Sequence, residues 1–430
     1  MNFYIINLGC AKNLVDSEKI SGFLTEAGYR ITDRIEDASF VFINTCGFIR
    51  EAKQESIDTI LSVFQEKPKD AGLAVYGCLV QRYMSELKQL LPEVDLLLPI
   101  LPYEDVVHEI KEHFPLHGHD TTRAQTRILF TPPSYTYVKI ADGCMNRCSY
   151  CAIPLIRGPL RSFPVEDIIH QINNALDKGV YEINLIAQDI TLYGHDLYEK
   201  PSLPFLLKSI LSIKRDFFIR LLYLYPIRIS YELISIIKSD TRIMHYLDIP
   251  IQHVNSRILK LMNRPYTKNV LTEKINLLRD KMPDIVLRTS IIVGFPSETE
   301  EDFQELADFV REIQFDHLGV FEYSPEEDTN AFSMRPRVPV RMKRKRRKIL
   351  MDIQKSIVRA KNMILTGKRF PCLIELPVDE YGAVWTGRIY SQAPEVDGIV
   401  YVTGYDASMG KVVTIRIKGF KDYDLLGECE

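Results

Sequence analysis

Cys144, Cys148 and Cys151 stand in Cys-x-x-x-Cys-x-x-Cys spacing within Asp142-Gly143-Cys144-Met145-Asn146-Arg147-Cys148-Ser149-Tyr150-Cys151. Three thiolates on one tight loop can hold three irons of a 4Fe-4S cluster and leave the fourth iron open to a ligand from outside the protein. S-adenosylmethionine can fill that position. An electron from the cluster can then cleave its sulfonium bond into methionine and a carbon radical, chemistry that no side chain performs. Zinc is the competing reading, but structural zinc usually takes four ligands, commonly as paired Cys-x-x-Cys. No fourth Cys or His lies nearby, and His170 sits a helix away.

Cys10, Cys46 and Cys78 are 36 and 32 positions apart and share no motif, yet each follows an apolar, strand-like run, as Leu8-Gly9-Cys10, Asn44-Thr45-Cys46 and Tyr76-Gly77-Cys78. If those runs are neighbours in one parallel sheet, the three thiols emerge along one edge and can form a second cluster site, again with an open iron. Three unrelated buried cysteines are the alternative. Cys372 and Cys429 read as ordinary thiols. Gln188 and Asp189, in Ala187-Gln188-Asp189-Ile190-Thr191, end a strand and are candidates to touch cofactor or substrate; the same pattern also makes a helix cap. His245 and His253 carry no assigned role. Gly294-Phe295-Pro296 closes another strand, with Ser297 and Glu298 expected to start the next helix. The basic run Arg341 to Lys348 reads as a solvated helix face, with phosphate contact as the lesser alternative. No Walker loop, dinucleotide fingerprint or nucleophile elbow is present.

The elements that must position these residues follow from periodicity. An α/β chain of three domains is expected: an amino-terminal parallel-sheet α/β domain over 1–115, a central partial (β/α)6 barrel over 130–362, and a small carboxyl-terminal β-barrel over 363–430. In the first, strands Phe3 to Leu8, Ser39 to Thr45 and Leu73 to Tyr76 alternate with helices from about Leu14 to Ala27, Ile49 to Phe64 and Val80 to Leu90. A linker is expected over Pro115 to Pro133. The barrel draws on Tyr137 to Ala141, Glu182 to Ala187, Arg220 to Tyr225, Tyr246 to Ile251, Val286 to Val293 and Leu318 to Tyr323, and a helix near Val340 to Thr366 closes it. Short strands then follow at Pro371 to Leu376, Ala383 to Tyr390, Gly398 to Thr403 and Val412 to Ile417.

A chain of 430 residues with 46% hydrophobic and 26% charged residues suits a soluble multidomain protein and excludes a disordered one. The 54 Lys/Arg against 57 Asp/Glu give a net charge of -3, so bulk charge does not drive nucleic-acid binding and any such contact must be local. No apolar run approaches membrane-spanning length, and no signal peptide is evident, so a cytoplasmic location is expected, where eight cysteines serve better as ligands than as disulfides.

These motifs resemble the methylthiotransferase family of radical S-adenosylmethionine enzymes over essentially the whole chain. The resemblance is carried by Gly9-Cys10-Ala11-Lys12-Asn13-Leu14-Val15-Asp16-Ser17-Glu18, Asn44-Thr45-Cys46-Gly47-Phe48-Ile49, Ile153-Pro154 with Arg157-Gly158, Gln188-Asp189 with Tyr193-Gly194, Leu247 to His253, and Ile292 to Pro296. It is nearer to the branch that modifies a ribosomal protein than to the tRNA branch, which usually carries Gln-Met-Asn where this chain has Ala11, Lys12 and Asn13. The β tail resembles the TRAM domain. The resemblance implies methylthiolation at the β-carbon of an aspartate in the twelfth small-subunit ribosomal protein. It also implies two 4Fe-4S clusters: Cys144, Cys148 and Cys151 would hold the one that makes the radical, and Cys10, Cys46 and Cys78 the auxiliary one that presents sulfur. S-adenosylmethionine, a reductant protein and a sulfur donor are the further partners implied. Two departures touch substrate contacts: Phe163 stands where the family commonly has arginine, with Arg161 nearby, and Asp328 and Asn330 replace a usual Gly and Pro.

Protein as substrate is favoured over RNA by the tail from Thr366 to Glu430, whose 7 Lys/Arg minus 10 Asp/Glu give -3. Weak RNA contact remains open through Arg341 to Lys348. The alternatives are a tRNA adenosine methylthiotransferase and a non-catalytic iron–sulfur ribosome-assembly factor.

Overall fold

The computed structural model of the chain describes residues 1–116, 127–404 and 407–430. The amino-terminal elements are β1 (Asn2–Asn7), α1 (Ala11–Glu26), β2 (Arg30–Ile31), β3 (Phe40–Thr45), α2 (Arg50–Glu66), β4 (Gly72–Gly77), α3 (Cys78–Leu90), β5 (Leu96–Leu98) and α4 (Tyr103–His113). All five strands are parallel, in the order β2-β1-β3-β4-β5. Every residue of β3, Phe-Val-Phe-Ile-Asn-Thr, is buried, as a parallel strand covered on both faces must be. Phe40 stacks between Phe3 and Phe114 and ties sheet to α4. The three anticipated strand–helix units are present. The edge strands β2 and β5 were not anticipated, because two and three residues are too few to show a period. Of the expected linker, 117–126 lies outside the described residues. Its end is pinned to α1: Arg127 pairs with Glu18, whose carbonyl accepts from Ile128 N at 3.1 Å.

The central elements are β6 (Tyr135–Lys139), β7 (Ala141–Asp142), α5 (Ile153–Arg157), β8 (Arg161–Ser162), α6 (Val165–Asp177), β9 (Glu182–Ile186), α7 (His195–Tyr198), α8 (Leu203–Leu211), β10 (Phe218–Leu221), α9 (Tyr231–Ser239), β11 (Ile243–Asp248), α10 (Ser256–Leu261), α11 (Lys268–Lys281), β12 (Val286–Val293), α12 (Glu300–Ile313), β13 (His317–Glu322) and α13 (Val340–Leu365). All six expected runs form strands of one parallel sheet, ordered β13-β12-β11-β10-β9-β6. The outer face packs on the helices, while Tyr135, Tyr137, Met244, Tyr246 and Val286 fill the inner face.

That inner face is closed from both ends. Val15 of α1 enters at the carboxyl ends of the strands. At the amino ends Ala393 enters from the tail, and Arg388 pairs with Glu182, the first residue of β9, at 2.9 Å. The tail is a closed barrel of β14 (Arg369–Pro377), β15 (Val384–Arg388), β16 (Val400–Thr403), β17 (Val412–Lys421) and β18 (Asp424–Cys429), ordered β14-β15-β16-β18-β17. The last strand, Asp-Leu-Leu-Gly-Glu-Cys, escaped the sequence reading because its glycine breaks the alternation. Among the described residues no helix is long and apolar enough to cross a membrane.

Candidate active site between two cysteine triads

Because β1, β3 and β4 are adjacent and parallel, Cys10, Cys46 and Cys78 leave one edge of the sheet side by side. Cys10 precedes α1, and its carbonyl accepts from Leu14 N at 3.1 Å. Cys46 is fixed at both backbone atoms by Ser56: its N–H donates to Oγ at 3.1 Å, and that hydroxyl donates to its carbonyl at 3.0 Å. Cys78 opens α3. Gly9, at φ +93°, allows the first two turns to touch, since a Cβ there would fall 2.8 Å from Cβ and 3.1 Å from Sγ of Cys46. Asn13 braces the group, donating to the carbonyls of Leu8 at 3.0 Å and Thr45 at 3.2 Å. Burial pushes the Cys46 thiol up to about 12 and raises that of Cys78 as well. Metal binding here would therefore release protons.

The second triad occupies the loop after β7. Gly143 adopts φ +69°, and a Cβ there would lie 1.9 Å from the carbonyl oxygen of Pro159, so only glycine fits. Cys144 N–H donates to Gly158 O at 3.1 Å, Ser149 N–H to Met262 O at 3.0 Å, and Ala331 N–H to Ser149 O at 2.7 Å. Burial pushes Cys144 up to about 11 and Cys151 to about 12, although all three side chains of the loop retain partial exposure. In a cluster each of three such thiolates takes its own iron.

Gln188 and Asp189 lie at the end of β9, beside this loop. Gln188 Nε2 donates to Asp142 Oδ1 at 3.0 Å, while its buried Oε1 has no partner among the described residues. Asp189 does two things at once. It caps the short turn Ile190–Leu192 by accepting from Thr191 N, and its Oδ2 accepts from Asn146 Nδ2 at 2.8 Å and Arg228 Nη1 at 2.7 Å. Arg228 also donates to Asn146 Oδ1 at 2.8 Å, closing a triangle that holds the loop between Cys144 and Cys148. Sequence reading missed Arg228, which belongs to no motif and reaches the loop only through the fold.

The two triads are joined by buried ion pairs. Arg157 of α5 donates to Asp16 Oδ2 at 2.7 Å, Asp142 Oδ2 at 3.1 Å, Asn13 Oδ1 at 2.7 Å and Cys78 Sγ at 3.5 Å. Lys139 donates to Asp142 at 2.9 Å and pairs with Asp16 at 2.5 Å, and Asp142 Oδ1 accepts from Gly143 N at 2.9 Å. Burial alone would push both carboxyls up, but Lys139 and Arg157 hold Asp16 and Asp142 below the usual carboxylate range. Nearby, the Lys12 ammonium rests 3.4 Å from the centroid of the Tyr223 ring, and Tyr223 itself has φ +66°, a strained conformation for an aromatic residue at the mouth of the barrel.

The radical SAM superfamily model matches residues 138–310, the TRAM domain model 366–429, and the model described as Uncharacterized protein family UPF0004 matches 2–99. Ribosomal protein uS12 methylthiotransferase RimO from Acetivibrio thermocellus is 44% identical, covering 99% of this chain and 97% of its own. RimO from Natranaerobius thermophilus is 44% identical over 100% and 99%. The chain belongs to the RimO family. It is an enzyme of the radical SAM methylthiotransferase type. In fold, 77% of this RimO-family chain superposes on 74% of the radical S-adenosylmethionine methyltransferase TsrM from Kitasatospora setae, with a TM-score of 0.56 and 12% identity.

Several expectations about other residues need correction. The helix after Gly294 starts at Glu300 under a capping box of Thr299 and Asp302, not at Ser297 and Glu298. Glu298 turns back instead, accepting from Gly294 N at 2.8 Å and Arg346 Nη1 at 2.7 Å. The basic run is only in part a solvated face: Arg346 is buried on Glu298, and buried Lys343 donates to Tyr323 O at 2.6 Å. His245 pairs with Asp284, and His253 is buried with Nδ1 accepting from Asn255 N at 3.0 Å. Asp328 carries φ +61°, a conformation Asp tolerates better than most residues. The Phe163 ring has Lys19 at 5.2 Å and Arg161 at 6.0 Å, so two cations flank it.

Proposed function

We propose that this enzyme inserts a methylthio group at the β-carbon of one aspartate in ribosomal protein uS12. The reading rests on the near full-length likeness to RimO proteins whose names give uS12 as their substrate. Cys144, Cys148 and Cys151 would hold one 4Fe-4S cluster with S-adenosylmethionine at its open iron, and Cys10, Cys46 and Cys78 a second. Bound there, these groups supply a carbon radical and a sulfur to be transferred. The chain's own task is placement. Asn146, Asp189 and Arg228 fix the first loop, Arg157 ties that loop to Cys78, and α1 closes the barrel mouth so that reaction occurs away from bulk water. Gln188, with its unpartnered carbonyl, would offer an acceptor to the cofactor, and Asp189 would support the same pocket. The domain limits we assign are 1–115, 130–362 and 363–430.

Protein rather than RNA as the modified substrate is supported by the tail, whose Arg369 and Arg416 both pair with Glu430, Arg388 with Glu182 and Glu375, and Lys418 with Glu428. Few of its cations are left to neutralise phosphate. Mass spectrometry of uS12 from cells with and without this gene tests reaction and substrate together. The protein from normal cells is expected to be heavier by one methylthio group in place of hydrogen. Equal masses, with a methylthio-adenosine missing from the tRNA of the deletion strain, would transfer the assignment to the tRNA branch. Failure of the purified holoenzyme to cleave S-adenosylmethionine under strong reductant would leave an assembly factor.

A further inference from the structure

Residues 335–348 read Arg-Pro-Arg-Val-Pro-Val-Arg-Met-Lys-Arg-Lys-Arg-Arg-Lys, nine cations and no acid in a chain whose net charge is -3. The fold uses two of them internally, Lys343 and Arg346. Arg347 lies 4.0 Å from Glu322, and Lys348 3.2 Å from Asp352. Arg335, Arg337, Arg341, Arg344 and Lys345 are exposed, and none pairs with a carboxylate among the described residues. Arg335 and Arg337 spend donors only on backbone carbonyls of Phe332 and Met334.

The location matters as much as the charge. Lys343 lies against Gly294, at the carboxyl end of β12, and donates to the carbonyl of Tyr323, just past β13, so α13 begins at the active-site end of the barrel. The preceding segment is bonded to the rim itself. Ser297 Oγ donates to Arg335 O at 2.9 Å, Ser297 N–H donates to Pro336 O at 2.8 Å, and Ala331 N–H donates into the Cys144–Cys151 loop at Ser149 O. Phe332 is 37% exposed with the Arg337 guanidinium 5.3 Å from its centroid, an aromatic surface beside cations of the kind on which bases stack. Unpaired cations interleaved with an exposed ring are the local signature of phosphate-backbone binding, which overall charge does not reveal.

We propose that this basic rim binds RNA, namely the ribosomal RNA next to the substrate protein, and so docks the enzyme on a ribosomal particle while the target side chain enters between the triads. The inference rests on the assignment of uS12 as substrate for its partner, but the surface itself can be tested without turnover. The probe is a fluorescent single-stranded RNA from the small-subunit ribosomal RNA, titrated with anaerobic holoenzyme at several salt concentrations. The comparison is the triple variant Arg341→Gln, Arg344→Gln, Lys345→Gln, whose side chains are exposed and pair with no carboxylate among the described residues. The wild type should bind with a salt-dependent affinity, and the variant's slope of log K against log salt should be shallower by about 2, the value for three lost contacts to a single strand. On a synthetic uS12 peptide the two proteins should turn over alike, whereas on small subunits from a deletion strain the variant should fall at least roughly tenfold behind.

Salt-independent or absent RNA binding by the wild type overturns the proposal, as does an unchanged slope in the variant. An equal loss on peptide and subunit also overturns it, since the rim would then touch the protein substrate. Loss of binding to anionic phospholipid vesicles with RNA binding intact would assign the surface to a membrane instead. Failure of the wild type to modify either peptide or subunit would refute the uS12 reading and leave the titration of the RNA unaffected.

Discussion

Arg157 donates to the Sγ of Cys78 at 3.5 Å while the same guanidinium holds Asp142, one residue before the glycine that starts the other cysteine loop. One side chain thus fixes the amino-terminal triad relative to the barrel triad through contacts that are almost wholly removed from water.

Removing that cation should be costly. In Arg157→Met, Asp16 and Asp142 are left with Lys139 as their one remaining cation, and breaking a buried pair by deleting one partner costs about 3–5 kcal/mol. Chemical denaturation should show a loss of that order. The double variant with Asp16→Asn should recover part of it, because one buried charge is then neutral. Equal stability of Arg157→Met and wild type would mean that the network is satisfied by water.

The two triads should behave as separate metal sites. Replacing Cys10, Cys46 and Cys78 together by alanine is expected to leave about four irons per chain, as is replacing Cys144, Cys148 and Cys151, against about eight for the wild type. Iron analysis and the absorption of anaerobically reconstituted protein read this directly. Reductive cleavage of S-adenosylmethionine should survive the first set of changes and vanish in the second.

How far sequence alone reached depends on the kind of signal. Six parallel barrel strands and the three βα units were legible because strand and helix periods persist over four or more residues, and the Cys-x-x-x-Cys-x-x-Cys loop because it is contiguous. Cys10, Cys46 and Cys78 were legible only through a topological step, that neighbouring parallel strands deliver their ends to one edge. Arg228, Lys12 and Arg157's contact with Cys78 were not legible as partners, since each depends on side chains more than 75 residues away or on different domains. Lys343 and Arg346 were misjudged because a run of like charge hides which members face the core every third residue.

The triangle of Asn146, Asp189 and Arg228 should matter to the loop beyond its share of stability. Partners one step removed from metal ligands typically cost 10–100-fold in metal affinity or activity when lost, and the same scale, roughly tenfold or more, is expected for Arg228→Ala. The readout is the rate at which chelator strips iron from the Cys144 site in the variant that lacks Cys10, Cys46 and Cys78. Arg228→Lys should rescue little, because one ammonium cannot span Asp189 Oδ2 and Asn146 Oδ1 as the guanidinium does.

Acid sensitivity should trace in part to His253. Its ring is fully buried, its Nε2 has no hydrogen-bond partner among the described residues, and burial pulls its pKa down to about 3. Glu298 Oε2 lies 3.8 Å away, but Arg346 already occupies that carboxyl group, and Asp302 is taken by Arg257. The native ring is therefore neutral, while the unfolded chain takes up a proton below about 6.5. The sign follows: the unfolded state binds more protons between those values, so stability is complete above pH ~6.5 and declines as pH falls toward 3, by about 1.4 kcal/mol per pH unit from this group. Burial pushes the neighbouring Glu298 up to about 7, which contributes with the opposite sign over this range in both proteins, so denaturation of anaerobic holoprotein at pH ~7.5 and ~5.5 should show the wild type faring worse on acidification than His253→Asn, which cannot take up the proton. The difference between the two pH values is the test, because the substitution also changes stability at neutral pH through lost packing. Identical pH dependence in both proteins would mean that the buried ring is charged in the native state.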